Sequence, residues 1–131
     1  MNFTLELLPD EPIVIVHFHK SYSDEQDLDE LVAGLTSLLD AQPQPMVVIH
    51  VDFPIPTGID DLIRKTNLAT NVTGLFKHPK TQLTVMVTAN PIFSLAAKGM
   101  RSSAFGGVRV ETCPTLDKAV ERAPEAAALL A

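Results

Sequence analysis

A run of β-branched residues from Ile13 to His19, a stretch of helically spaced leucines, and a second apolar run from Met46 to Val51 follow one another with short connections. That succession constrains the fold most tightly, because strands joined through a helix pair in parallel and the crossover between them is right-handed. Ahead of it, Phe3, Leu5 and Leu7 alternate with Thr4 and Glu6, and Pro9-Asp10-Glu11-Pro12 turns the chain into Ile13. A period of two bounded by a turn predicts an opening strand paired with the next as a hairpin.

Ser23 and Gln26 form a capping box, acidic residues crowd the turn that follows, and Leu28, Leu31, Val32, Leu35, Leu38 and Leu39 mark the buried stripe of a first helix. The Gln-Pro repeats at 42–45 end it, and the unbroken apolar character of Met46 to Val51 predicts a central strand. Thr57 with Asp60 is a second capping signal, with Ile59, Leu62, Ile63 and Leu68 as the stripe of a second helix. Gln82 to Thr88 reads as a fourth strand, with Leu83, Val85 and Val87 on one face and Thr84, Met86 and Thr88 on the other. Asn90-Pro91 opens a third helix, and Gly106-Gly107 leads into a short fifth strand, Val108 to Glu111. Thr115 caps a last helix, after which the alanine-rich tail from Pro124 adds a frayed turn. The order β-β-α-β-α-β-α-β-α predicts one α/β domain over 1–131, with a mixed, mainly parallel five-stranded sheet and right-handed crossovers.

With 131 residues, 46% of them hydrophobic, and a mean hydropathy of +0.17, the chain can bury a core without disulfides or metal. Cys113 is the single cysteine and has no internal partner. The amino-terminal MNFTLELLPDEP has neither a basic region nor a long apolar one, and no apolar run reaches the roughly 18 residues of a membrane span. A soluble, cytoplasmic, non-transmembrane protein is expected. A net charge of -6 and a pI near 5.0 leave no overall basic character with which to displace counterions from phosphates, so nucleic acid is not an expected partner. Charge is also split along the chain. Met1 to Asp61 holds twelve acidic residues against Lys20 alone, and Leu62 to Val110 holds seven basic residues and no acidic one. Such asymmetry steers encounters, so a protein partner or a weak homodimer joining acidic to basic halves is expected.

The strongest local pattern is Met46-Val-Val-Ile-His-Val-Asp52 leading through a loop to Thr57-Gly58 at a helix start. Together with the opening hairpin and the α-β units, it resembles the STAS or SpoIIAA-like domain, the anti-sigma factor antagonist group. With Phe53-Pro-Ile-Pro56 in place of the family's Asp-Ser-Ser-Gly sequence, the chain is similar to divergent members that lack the phosphoserine motif. The resemblance implies a SpoIIAA-like fold and a non-enzymatic regulatory role through protein contact. It places the phospho-switch candidate at Thr57 and the partner surface at Asp52, Phe53, Pro54, Ile55, Gly58, Asp61 and Arg64. A more distant likeness, to lipid-carrying Sec14-type domains, implies the alternative of a small-molecule or lipid binder.

The residues themselves support several chemistries. A hydroxyl at a helix N-terminus, as at Thr57, sits where free N–H groups and the dipole favour an added phosphate; an ordinary N-cap has the same sequence. Phe53 and Ile55, stiffened by Pro54 and Pro56, stand where α/β sheets present binding residues, or else fold back over the second helix. Arg64, Lys65, Lys98 and Arg101 would form an anion-binding patch if the second and third helices pack side by side, and otherwise are solvated charges. His17 and His19 share a strand face, and His50 and Asp52 end a neighbouring strand, a set that could hold zinc in a metal-dependent enzyme if all four met on one side. The other reading is half-exposed polar residues on a thinly covered sheet. Cys113, Ser94, Ser102 and Ser103 lack a nucleophile's setting, and no Gly-rich loop follows a strand into a helix, so neither catalysis nor a cofactor is expected.

Overall fold

Phe3–Leu7 (β1) and Ile13–Phe18 (β2) pair antiparallel, from Phe3 opposite Phe18 to Leu7 opposite Val14. The computed structural model describes residues 2–53, 60, 61, 63, 64, 78–91 and 109–130. Within them, Met46–Val51 (β3) lies parallel to β2, Thr81–Val87 (β4) parallel to β3, and Val110–Cys113 (β5) parallel to β4. The five-stranded sheet runs β1-β2-β3-β4-β5, with one antiparallel pair at its start. Helix α1 spans Asp24–Asp40 and helix α2 spans Leu116–Leu130. Asp60, Asp61, Ile63, Arg64 and Pro91 are helical, at the places where the second and third helices are expected; the rest of those stretches lies outside the described residues.

The alternation of side chains across the strands divides the core between two faces. Leu28, Leu31, Leu35 and Leu39 of α1 meet Phe3, Val14, Val16, Phe18, Met46, Val48 and Met86 on one face. Ala119 and Ala123 of α2 meet Ile13, Ile15, Val47, Ile49, Leu83 and Val85 on the other. Covered on both faces, β3 is central, as its unbroken apolar run predicts, and four of its residues are no more than 1% exposed. Each fully buried Val, Leu or Ile of this kind contributes about 1.5–3 kcal/mol.

The start of α1 differs from the capping box. Ser23 is the N-cap, with φ -139° and ψ 131°, but its side chain makes no capping bond. Asp27 reaches back instead: its Oδ2 accepts the Ser23 N–H at 2.9 Å, and its two oxygens accept from the Asn2 Nδ2 at 3.0 and 3.1 Å. A carboxylate one place beyond Gln26 faces inward toward the sheet, so it serves the helix end and the start of β1 together. The far end of α1 is clamped as well. His78 takes the Lys80 N–H on Nδ1 at 3.0 Å, which leaves Nε2 to donate to Asp40 at 2.7 Å, and the Lys80 ammonium donates to the Gln42 carbonyl.

Two boundaries shift. Strand β5 ends at Cys113 rather than Glu111, because the N–H groups of Thr84 in β4 and of Thr88 just beyond it donate to the Arg109 and Cys113 carbonyls and draw the later residues into the ladder. The buried Cys113 thiol is consequently pushed up by burial, with Glu111 adding to it. Thr115 does cap the last helix, accepting the Lys118 N–H at 3.2 Å. That helix continues through Pro124 to Leu130 instead of ending in a frayed turn. No helix among the described residues is long and apolar enough to cross a membrane.

Candidate functional site

At the carboxyl end of β2 the polar residues predicted to share a strand face do so. His17 Nε2 lies 2.9 Å from Glu6 Oε1, and His19 Nε2 lies 2.9 Å from Thr4 Oγ1. Both pairs stand on the face opposite α1, beyond the part of β2 that packs with α2. Thr4, Leu5, Glu6, His17, Phe18, His19 and Asp52 line an open groove there of about 570 Å³. Its imidazoles and carboxylates make it amphoteric rather than cationic.

Asp52 follows β3 directly with φ 58°, the one non-glycine residue in the left-handed region among those described. Aspartate tolerates that conformation because its short side chain bonds locally, whereas a β-branched side chain clashes with its own backbone. Asp52→Val is therefore expected to lower stability by about 1–2 kcal/mol while Asp52→Gly leaves it equal or slightly raised. Urea unfolding of both variants checks this, and equal losses would show that the turn does not constrain the residue.

His50 does not join the groove. The register sets it level with Val16 and sets His17 level with Val51, so His50 faces α1 while His17 and His19 face away. The four-residue zinc set is thereby divided by the thickness of the sheet. Among the described residues, no group of three or more His, Cys, Asp or Glu side chains is placed to hold a metal ion. His50 is 2% exposed and stacks on Phe18 with ring centroids 5.6 Å apart. Tyr22 meets Phe18 edge-on at 4.8 Å and Phe3 at 6.5 Å, closing an aromatic cluster around the amino end of α1. Burial holds the His50 imidazole down at a pKa of about 4, so it is neutral at pH 7. Burial likewise raises the Tyr22 hydroxyl above the usual tyrosine value, with the Asp24 carboxylate, which it bonds, adding to the effect.

Phe53 is half-buried against the α1-side core, so its ring contributes to packing. The left-handed turn at Asp52 redirects the chain so that the next side chain returns to the core. Asp61 and Arg64 are joined at 2.7 Å one helical turn apart. The hydrogen bond to Asp61 raises the Arg64 guanidinium pKa, with Asp24 and Glu25 of α1 contributing. Arg64 thus stands among carboxylates of its own helix and of α1. Pro54, Ile55, Thr57, Gly58, Lys65, Lys98 and Arg101 lie outside the described residues.

Comparison with protein-family models, curated proteins and solved structures finds no match to this chain. The site therefore rests on its own geometry. Two of its features have no isolated sequence signal: the Asn2–Asp27 link between β1 and α1, and the pairing of each groove histidine with a residue of β1. The second is foreshadowed only by the matching alternation of Thr4 and Glu6 with His17 and His19.

Proposed function

We propose that this domain is a small non-enzymatic regulatory module of the SpoIIAA-like type, binding another protein at the end of the sheet where β3 runs into Asp52. The strand order supports this reading: an antiparallel hairpin followed by parallel strands in chain order agrees with the succession of elements behind the resemblance. Function is carried over from fold by analogy, and the site has to carry the rest. The observation that supports a contact there is Asp52 itself, exposed and in a left-handed turn at the carboxyl end of the central strand. Parallel strands direct their carboxyl ends to one rim of the sheet, where α/β folds hold their partners. Asp61 would supply a second polar point on the same chain segment, and Thr57 between them would be the hydroxyl open to phosphorylation.

The reading as a binder of an anionic small molecule or lipid gains nothing from the groove, whose lining among the described residues contains Glu6 and Asp52 and neither Lys nor Arg. Affinity capture tests the regulatory reading. The Asp52→Asn/Asp61→Asn variant is expected to retain at least about tenfold less of a partner held by the wild type, at a melting temperature within about 3 °C of it. Equal recovery by the two proteins would remove the proposed contact. Phe53 is left intact because its loss would weaken the core as well as any interface.

A further inference from the structure

Among the described residues strand β1 is an edge of the sheet, and its hydrogen-bond alternation shows what that edge offers. The Asn2 carbonyl accepts the His19 N–H at 3.0 Å and the Leu8 N–H donates to the Ile13 carbonyl at 3.1 Å. In an antiparallel ladder, residues alternate between pairs that exchange bonds and pairs that do not. Even-numbered residues of β1 thus direct their main-chain groups to β2, and Phe3, Leu5 and Leu7 direct theirs outward. The strand has no proline, lysine or bulge to blunt this edge, and Leu7 at its end is 44% exposed.

We infer that the β1 edge joins a second copy of this chain, antiparallel and about a two-fold axis at Leu5, making a continuous ten-stranded sheet. The inference does not depend on the regulatory reading. In that register Leu5 faces Leu5 of the second copy and Phe3 faces Leu7, so the outward groups form about six main-chain hydrogen bonds. The axis stands normal to the sheet, which keeps faces matched: Phe3, Leu5 and Leu7 make one apolar strip on the α1 side. On the other side Glu6 comes opposite Thr4 of the second copy, so the two carboxylates are diagonal neighbours and never directly opposed. Each Glu6 has His17 at 2.9 Å, and each Thr4 has His19 at 2.9 Å, so the junction reads His17, Glu6, Thr4, His19 across its width. This charge pattern selects a second copy over an arbitrary strand, because the same sequence supplies both the carboxylate and the hydroxyl–imidazole pair that receives it. The two α1 helices also fit. Each packs against β1, β2 and β3, so their axes are separated by three strand spacings, roughly 14 Å, wider than the 8–10 Å of helices in contact.

An interface this narrow predicts a weak dimer, with a dissociation constant between about 10 μM and about 1 mM. Sedimentation across that concentration range is expected to show a monomer–dimer equilibrium. Leu7→Pro, which removes an outward N–H from an edge position that tolerates proline, is expected to raise the dissociation constant at least about tenfold with an unchanged circular dichroism spectrum. If that variant misfolds, Leu7→Lys makes the same test by placing a charge on the apolar strip. Register is read separately by oxidising a mixture of Thr4→Cys and Glu6→Cys proteins, in which the mixed disulfide is expected to dominate over either homodimer. A wild type that stays monomeric at about 1 mM, a dimer indifferent to Leu7, or equal formation of all three disulfides overturns the assignment. So does an association that needs a strand from a different protein.

Discussion

Asp27→Ala is expected to lower the free energy of unfolding by about 3 kcal/mol, and thereby the melting temperature by roughly 10 °C. The carboxylate is 6% exposed and accepts from the Asn2 amide through both oxygens and from the Ser23 N–H. Hydrogen bonds to a charged acceptor contribute about 1.5–3 kcal/mol net each, but Asn2 and Ser23 are only half-buried and regain water when the acceptor is lost. The total is therefore below the sum. Asp27→Asn separates charge from shape: one oxygen still accepts, but its NH₂ group meets either the Ser23 N–H or the Asn2 NH₂, so about half of the loss is expected. Thermal and urea unfolding of the two variants measures this directly. A loss below about 0.5 kcal/mol for Asp27→Ala would show that the link between β1 and α1 is incidental.

Acidification is expected to destabilise the fold through His50. Its ordinary pKa of 6.5 is lowered by burial to about 4 in the folded chain. Between those two values the unfolded chain binds a proton that the folded chain does not, so stability rises with pH across the window. The contribution of neutral His50 is complete above pH 6.5 and falls as pH drops toward 4, by about 3 kcal/mol over the full span. Other groups titrate over the same range, so the measurement is a difference: unfolding free energies of wild type and His50→Leu from pH 7.5 to about 4.5. The wild type is expected to lose more stability than the variant on acidification. Parallel curves would mean that the imidazole is protonated in the fold without penalty.

The hairpin, α1 and β3 were legible because their patterns are strictly local: alternation in Phe3 to Leu7, leucines at helical spacing, and an apolar run too short for a helix. Strand β5 was displaced by two residues because Cys113-Pro114 looks like a loop, and the ladder bonds with β4 that extend the strand come from residues far away in sequence. The candidate site was legible by strand and not by face. Alternation placed His17 and His19 together, but whether His50 joins them depends on the register between β2 and β3, and a shift of one residue sends a side chain to the other side. Phe53, between Asp52 and Pro54, reads equally as a presented anchor or as a side chain folded back, and its half-burial against the core follows a left-handed turn that no local pattern announces. Asp27 looked like one more acid in a helix's first turn. Its role depends on Asn2, which lies twenty-five residues earlier.

Among the described strands of this sheet chain order and spatial order coincide, so none of the later ones is inserted between earlier ones. That is an evolutionary liberty as much as a topology. A strand–helix unit could be appended beyond β5, or the last one lost, without rethreading the chain or disturbing the pairing of β1, β2 and β3. The groove and the Asp52 turn belong to the early end of this series, so variation in length can collect at the late end while the early end keeps its geometry.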